Sequence, residues 1–201
     1  MSQRVRRRWA VFRSLVGRGG RALLAALVAV ALLPAVRPLA ARDDFQTAFG
    51  LQPLAEPLQA PEISAKDPSG SGQRLTGFRG KLVLLNFFAT WCGPCREEMP
   101  ALERLYRAYR EQGFVVLGVD YRESAGTVRD FLAEMKVSFP AVLDESGQAV
   151  KAYGIRPLPA SFLIGRDGRI LWRAFGARPW DAREFRKYLE GVLRAERPAK
   201  Q

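Results

Sequence analysis

Cys92 and Cys95 are the only cysteines among 201 residues, and they sit in the run Trp91-Cys92-Gly93-Pro94-Cys95. Two intervening residues let both sulfurs share one helical turn, so a disulfide can close with little backbone movement. A first cysteine at a helix N-terminus faces unpaired N–H groups and the positive end of the dipole. That setting lowers a thiol pKa, and the thiolate is the form that attacks. Pro94 suits a first helical turn, where its missing N–H costs nothing. Cys92 is therefore expected as the exposed nucleophile and Cys95 as the resolving thiol, with exchange running through a mixed disulfide on Cys92. The two residues alone also allow an inert structural disulfide or a two-thiolate Cu(I) site, because soft thiolates select that ion. Structural zinc usually takes four Cys/His ligands, and the chain has no histidine.

The elements around the dithiol follow from periodicity. The run Lys81-Leu82-Val83-Leu84-Leu85-Asn86-Phe87-Phe88 reads as a buried strand leading into it. A helix is predicted from Gly93 to about Glu111, with Leu102, Leu105, Tyr106 and Tyr109 on one face and a bend at Pro100. Upstream, residues 61–78 suggest a short hairpin turning at 68–72. Downstream come a buried strand at 114–119 ending at Asp120, and a helix at 125–135 with Val128, Phe131 and Leu132 inward. Strands at 160–164 and 170–175 pair across Arg166-Asp167-Gly168, and a last helix at 180–195 packs Phe185, Tyr188, Leu189 and Val192. Strands alternating with helices and closed by a hairpin predict an α/β fold, a mixed sheet between helices. Asp120, Asp144 and Asp167 have no partner at catalytic spacing and read as strand-end and turn residues.

The net charge of +12 is unevenly placed. Residues 1–42 hold nine arginines and no acid, which leaves 23 basic against 20 acidic residues beyond them, a net of +3. The body carries no nucleic-acid-binding stripe. Seven arginines precede the apolar run Ala22 to Val36, broken by Pro34, an order that holds the N-terminus in the cytoplasm. Residues 1–42 therefore read as a signal-anchor or a cleaved signal peptide, either of which exports the rest of the chain. Residues 43–60 read as a linker, and residues 61–197 as the folded domain.

Over roughly residues 58–195 the chain resembles the thioredoxin superfamily, and within it the TlpA/ResA/DsbE-like membrane-anchored thiol-disulfide oxidoreductases. The resemblance runs through Gly80-Lys81, Asn86-Phe87-Phe88-Ala89-Thr90, Trp91 to Cys95, Arg96-Glu97-Glu98-Met99-Pro100, Val115 to Val119, Tyr153-Gly154-Ile155, Pro159 to Ile164 and Asp167-Gly168. It implies a thioredoxin-like fold with an N-terminal hairpin extension, and a redox-active disulfide with no further cofactor and no metal. It also implies a cis bond before Pro159. Only about 5–6% of X–Pro bonds are cis in folded proteins, so the residues by themselves do not suggest one, and Pro157 is the competing loop proline. Leu158 would offer backbone groups to an extended client, with Trp91, Gly93 and Pro94 touching it as well; Trp91 could equally be core. Thioredoxins carry a buried aspartate where this chain has Asn86. The TlpA/ResA group instead has a glutamate three residues after the second cysteine, here Glu98, able to take the Cys95 proton. Glu97 and Glu98 could otherwise serve only the helix dipole. The implied partners are a membrane thiol electron donor and clients with oxidised cysteines, apocytochrome c first and copper-assembly proteins second. The implied location is the inner membrane with the domain facing the periplasm or exterior, or the soluble periplasm after cleavage. A peroxiredoxin pattern would need proline seven residues before Cys92, where Leu85 stands.

Overall fold

A computed structural model describes residues 45–195. The expected signal-anchor or signal peptide at 1–42 and the last two residues of the expected domain lie outside them. Eight strands and four helices are numbered here in chain order. They are β1 (Gln52–Gln59), β2 (Ser64–Lys66), β3 (Gly72–Arg74), β4 (Leu82–Phe88), α1 (Gly93–Tyr109), β5 (Phe114–Tyr121), α2 (Ala125–Glu134), β6 (Ala141–Asp144), α3 (Gln148–Ala152), β7 (Ala160–Ile164), β8 (Arg169–Phe175) and α4 (Arg183–Ala195).

Six strands form one mixed sheet in the order β1-β8-β7-β4-β5-β6. β4, β5 and β6 run parallel, while β7, β8 and β1 join antiparallel to their neighbours. β4 is buried along its whole length, which is why it reads as a continuous apolar run. Its residues alternate between two cores. Leu82, Leu84 and Phe88 face Met99, Leu102 and Leu105 of α1, Val128 and Phe131 of α2, and Phe185 and Leu189 of α4. Val83, Leu85 and Phe87 face Ile63 and Leu75 of the hairpin region and Ala149 of α3. β2 and β3 make the expected two-stranded hairpin, closed over Asp67 to Ser71. This is the thioredoxin-like arrangement anticipated above.

Three boundaries differ from expectation. The segment read as a linker, residues 43–60, contributes a sheet edge: Gln52 pairs with Arg173 and Gln59 with Arg169 of β8. Its prolines suggested a tether, but an edge strand tolerates proline because one side of its ladder is unpaired. α1 ends at Tyr109, and residues 110–112 tighten into a 3-10 turn before Gly113 (φ 81°). α4 begins at Arg183, so Trp180 lies in the loop before it, with its side chain fully buried.

Candidate active site

Cys92 caps α1. Its backbone is extended (φ −82°, ψ 106°), its Sγ accepts from the Cys95 N–H at 3.3 Å, and Gly93 and Pro94 open the first turn. The two cysteines are disulfide-linked, with Cα atoms 5.3 Å apart. Cys92 keeps 6% of its surface and Cys95 none, so Cys92, expected as the exposed thiol, is itself buried in the disulfide form and is only the more accessible of the two. Beside the disulfide lies an open groove of about 490 Å³ lined by Trp91, Cys92, Gly93, Pro94 and Leu158, joined by Tyr121, Val150, Ile155 and Arg156. Trp91 is 68% exposed, which sets aside core packing and leaves it on the surface of this groove. The Leu158–Pro159 bond is cis. Pro159 itself is buried next to β7 and accepts from the Gly176 N–H at 2.8 Å.

Glu98 lies behind the disulfide. Three residues along α1 from Cys95, it falls on the same helical face, and it is 2% exposed while Glu97 is exposed. Asn86 Nδ2 donates to its Oε1 at 2.7 Å; the Arg178 N–H and Trp180 Nε1 donate to its Oε2 at 3.1 and 2.8 Å. Burial pushes the carboxyl up to about 7, against the opposing pull of these donors and of the Arg178 charge. A carboxyl at that value exchanges protons at neutral pH, which is what acid–base work on a thiol pair requires. Asn86 also donates to Ser161 Oγ at 3.0 Å across the β4–β7 ladder, while its Oδ1 has no hydrogen-bond partner.

A second buried carboxyl stands at the end of β5. Asp120, read above as a strand-end residue, is fully buried and pushed up to about 8 by burial and by neighbouring Glu123 and Asp144. Its Oδ1 accepts from the Glu123 N–H at 3.1 Å. Glu123 in turn accepts from the N–H and hydroxyl of Thr90, both at 2.6 Å, and so pins the loop that delivers Trp91 and Cys92. Among the described residues no cluster of three or more His, Cys, Asp or Glu is placed to hold a metal ion, and no helix is long and apolar enough to cross a membrane.

The disulfide thus caps a helix, with a cis-proline loop in the same neighbourhood and a buried carboxyl one turn along α1. A model of the AhpC/TSA family matches residues 58–173. The chain belongs to that family. Within this thioredoxin-like group it is 37% identical over 134 residues to the thiol-disulfide oxidoreductase ResA of Bacillus cereus (strain ATCC 10987 / NRS 248), covering 67% of this chain and 76% of the relative. To ResA of Bacillus subtilis (strain 168) it is 36% identical over 122 residues, covering 61% and 68%. A solved structure, a putative thiol:disulfide interchange protein DsbE from Chlorobium tepidum, superposes with a TM-score of 0.64 at 32% identity, over 70% of this chain and 99% of that one. The chain is a thiol-disulfide oxidoreductase.

As a member of this AhpC/TSA family the chain brings Cys92, Cys95, Trp91, Gly93, Pro94 and Leu158 together as the sequence indicated. The sequence did not point to Trp180 and Arg178, which reach Glu98 from 82 and 80 residues away. Tyr121, Val150, Ile155 and Arg156 were also missed. They belong to the end of β5, to α3 and to the loop after it, which only the tertiary fold gathers at the groove.

Proposed function

We propose that this oxidoreductase is an exported, membrane-tethered reductant of client disulfides. It would draw electrons from a membrane thiol donor and pass them to oxidised apocytochrome c cysteines, with copper-assembly proteins the second class of client. One observation carries the reading: Cys92 lines an open groove while Cys95 and Glu98 lie buried behind it. The Cys92 thiolate attacks one client sulfur, breaking the client disulfide and releasing the other sulfur as a thiolate, which takes a proton from solvent. Cys95 gives its proton to Glu98, and its thiolate attacks Cys92 Sγ. The Cys92–Cys95 disulfide forms, the client leaves fully reduced, and two electrons have moved from protein to client. The groove, with Trp91, Gly93, Pro94 and the Leu158 backbone beside cis-Pro159, holds the client segment extended across Cys92.

The Cys-Gly-Pro-Cys dithiol supports the reductive direction. Thioredoxin, with this dithiol, has a potential of about −270 mV, against about −120 mV for the oxidant DsbA. Export is supported by the arginine-rich flank and apolar run of residues 1–42. The decisive test is trapping with Cys95→Ala in the native host, followed by identification of proteins disulfide-linked to Cys92. Adducts with an apocytochrome are expected. Adducts only with copper-assembly proteins would change the client, and no adduct on a folded, exported variant would favour Cu(I) binding by the two thiolates. A measured potential above about −180 mV would overturn the reductive direction.

A further inference from the structure

Two of the three donors on Glu98 come from the loop between β8 and α4, and that loop is held from outside by the residues that precede β1. One helical turn at 45–48 leads into Phe49, Gly50 and Leu51, closed by hydrogen bonds from Phe49, Gly50 and Leu51 N–H to the carbonyls of Phe45, Thr47 and Gln46. Phe49 packs on Trp180 (5.9 Å between ring centres) and on Phe185 (5.0 Å), and Phe45 packs on Tyr188 (5.3 Å). Gln46 Nε2 donates to the Tyr188 hydroxyl at 2.8 Å. The Phe49 carbonyl accepts from Arg178 Nε at 2.8 Å. Gly50 has φ +72°, and a Cβ there would lie 2.5 Å from an Arg178 guanidinium nitrogen. The left-handed backbone favours glycine here, and a side chain would displace the Arg178 guanidinium. Residues 45–51 therefore grip Arg178 by its side chain and Trp180 by its ring, while the same two residues grip Glu98 by an N–H and an indole N–H.

We propose that residues 45–51 form a latch that positions the Arg178–Trp180 loop on Glu98 and keeps water from it, so that the chain's entry into the domain is a positioning element of the exchange site. The inference rests on the acid–base role given to Glu98 above. Asn86 and Ser161 on the strands and Trp180 in the loop are uncharged, Cys95 is in the disulfide, and the charge that acts on the Glu98 carboxyl is Arg178. Loosening the latch admits water, which lowers the titration midpoint. Loss of the Arg178 and Trp180 donors would by itself raise it, but burial is the largest influence on the carboxyl, so the net shift is downward.

The test is the titration of Glu98, followed by carboxyl ¹³C NMR in the full-length oxidised protein. Phe49→Ala and Gly50→Ala should each lower the midpoint by about one pH unit. Leu58→Ala, on the exposed part of β1 (56% exposed), should leave it in place. Should Phe49→Ala fail to fold, Arg178→Lys removes the Nε contact to the Phe49 carbonyl and should shift the midpoint in the same sense. An unchanged midpoint in folded latch variants overturns the latch. A lowered midpoint with an unchanged pH profile of client reduction sustains the latch and overturns the acid–base role of Glu98, so the two ideas fail separately.

Discussion

The two sides of the Cys92–Cys95 disulfide differ in almost every physical respect. Behind it, Glu98 sits in a buried cluster where both its carboxyl oxygens are hydrogen-bonded and the donors arrive from β4 and from the loop before α4. In front, the groove is open, its walls are mostly apolar or aromatic, and Arg156 is the charge among its lining residues. Burial makes the rear an environment in which one proton is worth a great deal. Exposure makes the front one in which shape and apolar contact dominate and charge is screened. Chemistry should therefore respond to changes behind the disulfide, and client choice to changes in front.

The largest expected effect is on the rear side. Glu98→Gln keeps the shape and much of the hydrogen bonding but cannot take a proton. Exchange at neutral pH should fall about 10²-fold, and the inflection near pH 7 in the rate profile should disappear. Stability carries the same signature. The folded-state pKa is raised above its ordinary value, so the protonated carboxyl contributes stability in acid that is lost as pH rises through about 7. Asp120 acts in the same sense up to about 8. Thermal unfolding of the oxidised protein should show Glu98→Gln flattening the decline between about pH 5 and 8, by about 3 °C. An unchanged rate with a flattened stability curve would reduce Glu98 to a structural group.

Trp91 is the corresponding test in front. An exposed aromatic beside a nucleophile supplies rigid apolar contact area to a partner, the kind of residue that dominates binding energy. Trp91→Ala should raise KM for a protein client about 10-fold while the pH profile of the rate keeps its inflection. A shifted inflection would mean that the two sides are not separable, and that Trp91 helps to keep the disulfide dry.

How much of this was legible in the sequence follows the same division. The dithiol, the strand that carries it and the helix it caps are local patterns, written in spacing and apolar periodicity. Glu98 was singled out only through the family resemblance, since the residues alone allowed it a helix-dipole role, and its partners were not visible. Asn86, Arg178 and Trp180 are tied to it only by tertiary packing, and nothing in the run Ala177-Arg178-Pro179-Trp180 announces a donor pair. β1 escaped because Gln52-Pro53-Leu54 has the composition of a linker, and an edge strand needs neither apolar continuity nor a full set of N–H groups. β6 escaped because Ala141–Asp144 is too short an apolar run to separate from a loop. Asp120 shows the limit from the other side: its position at a strand end was readable, but its complete burial depends on neighbours in β4 and β6.

The smallest expected effect concerns Arg156. It is exposed, it follows buried Ile155 and lies two residues before Leu158, where an extended client would run. A single rim charge acts chiefly on the rate of encounter, and salt screens it over about 10 Å at 0.1 M. Disulfide-linked peptide clients with Asp or Glu beside the cysteine should therefore be reduced about 3-fold faster than Lys-flanked ones at low salt. Arg156→Glu should invert that preference, and about 1 M salt should erase it in both proteins. Because the charge lies on the wet side, the inversion should leave the inflection near pH 7 where it was. An Arg156→Glu variant that kept the original preference would show that the groove reads the client's shape and not its charge.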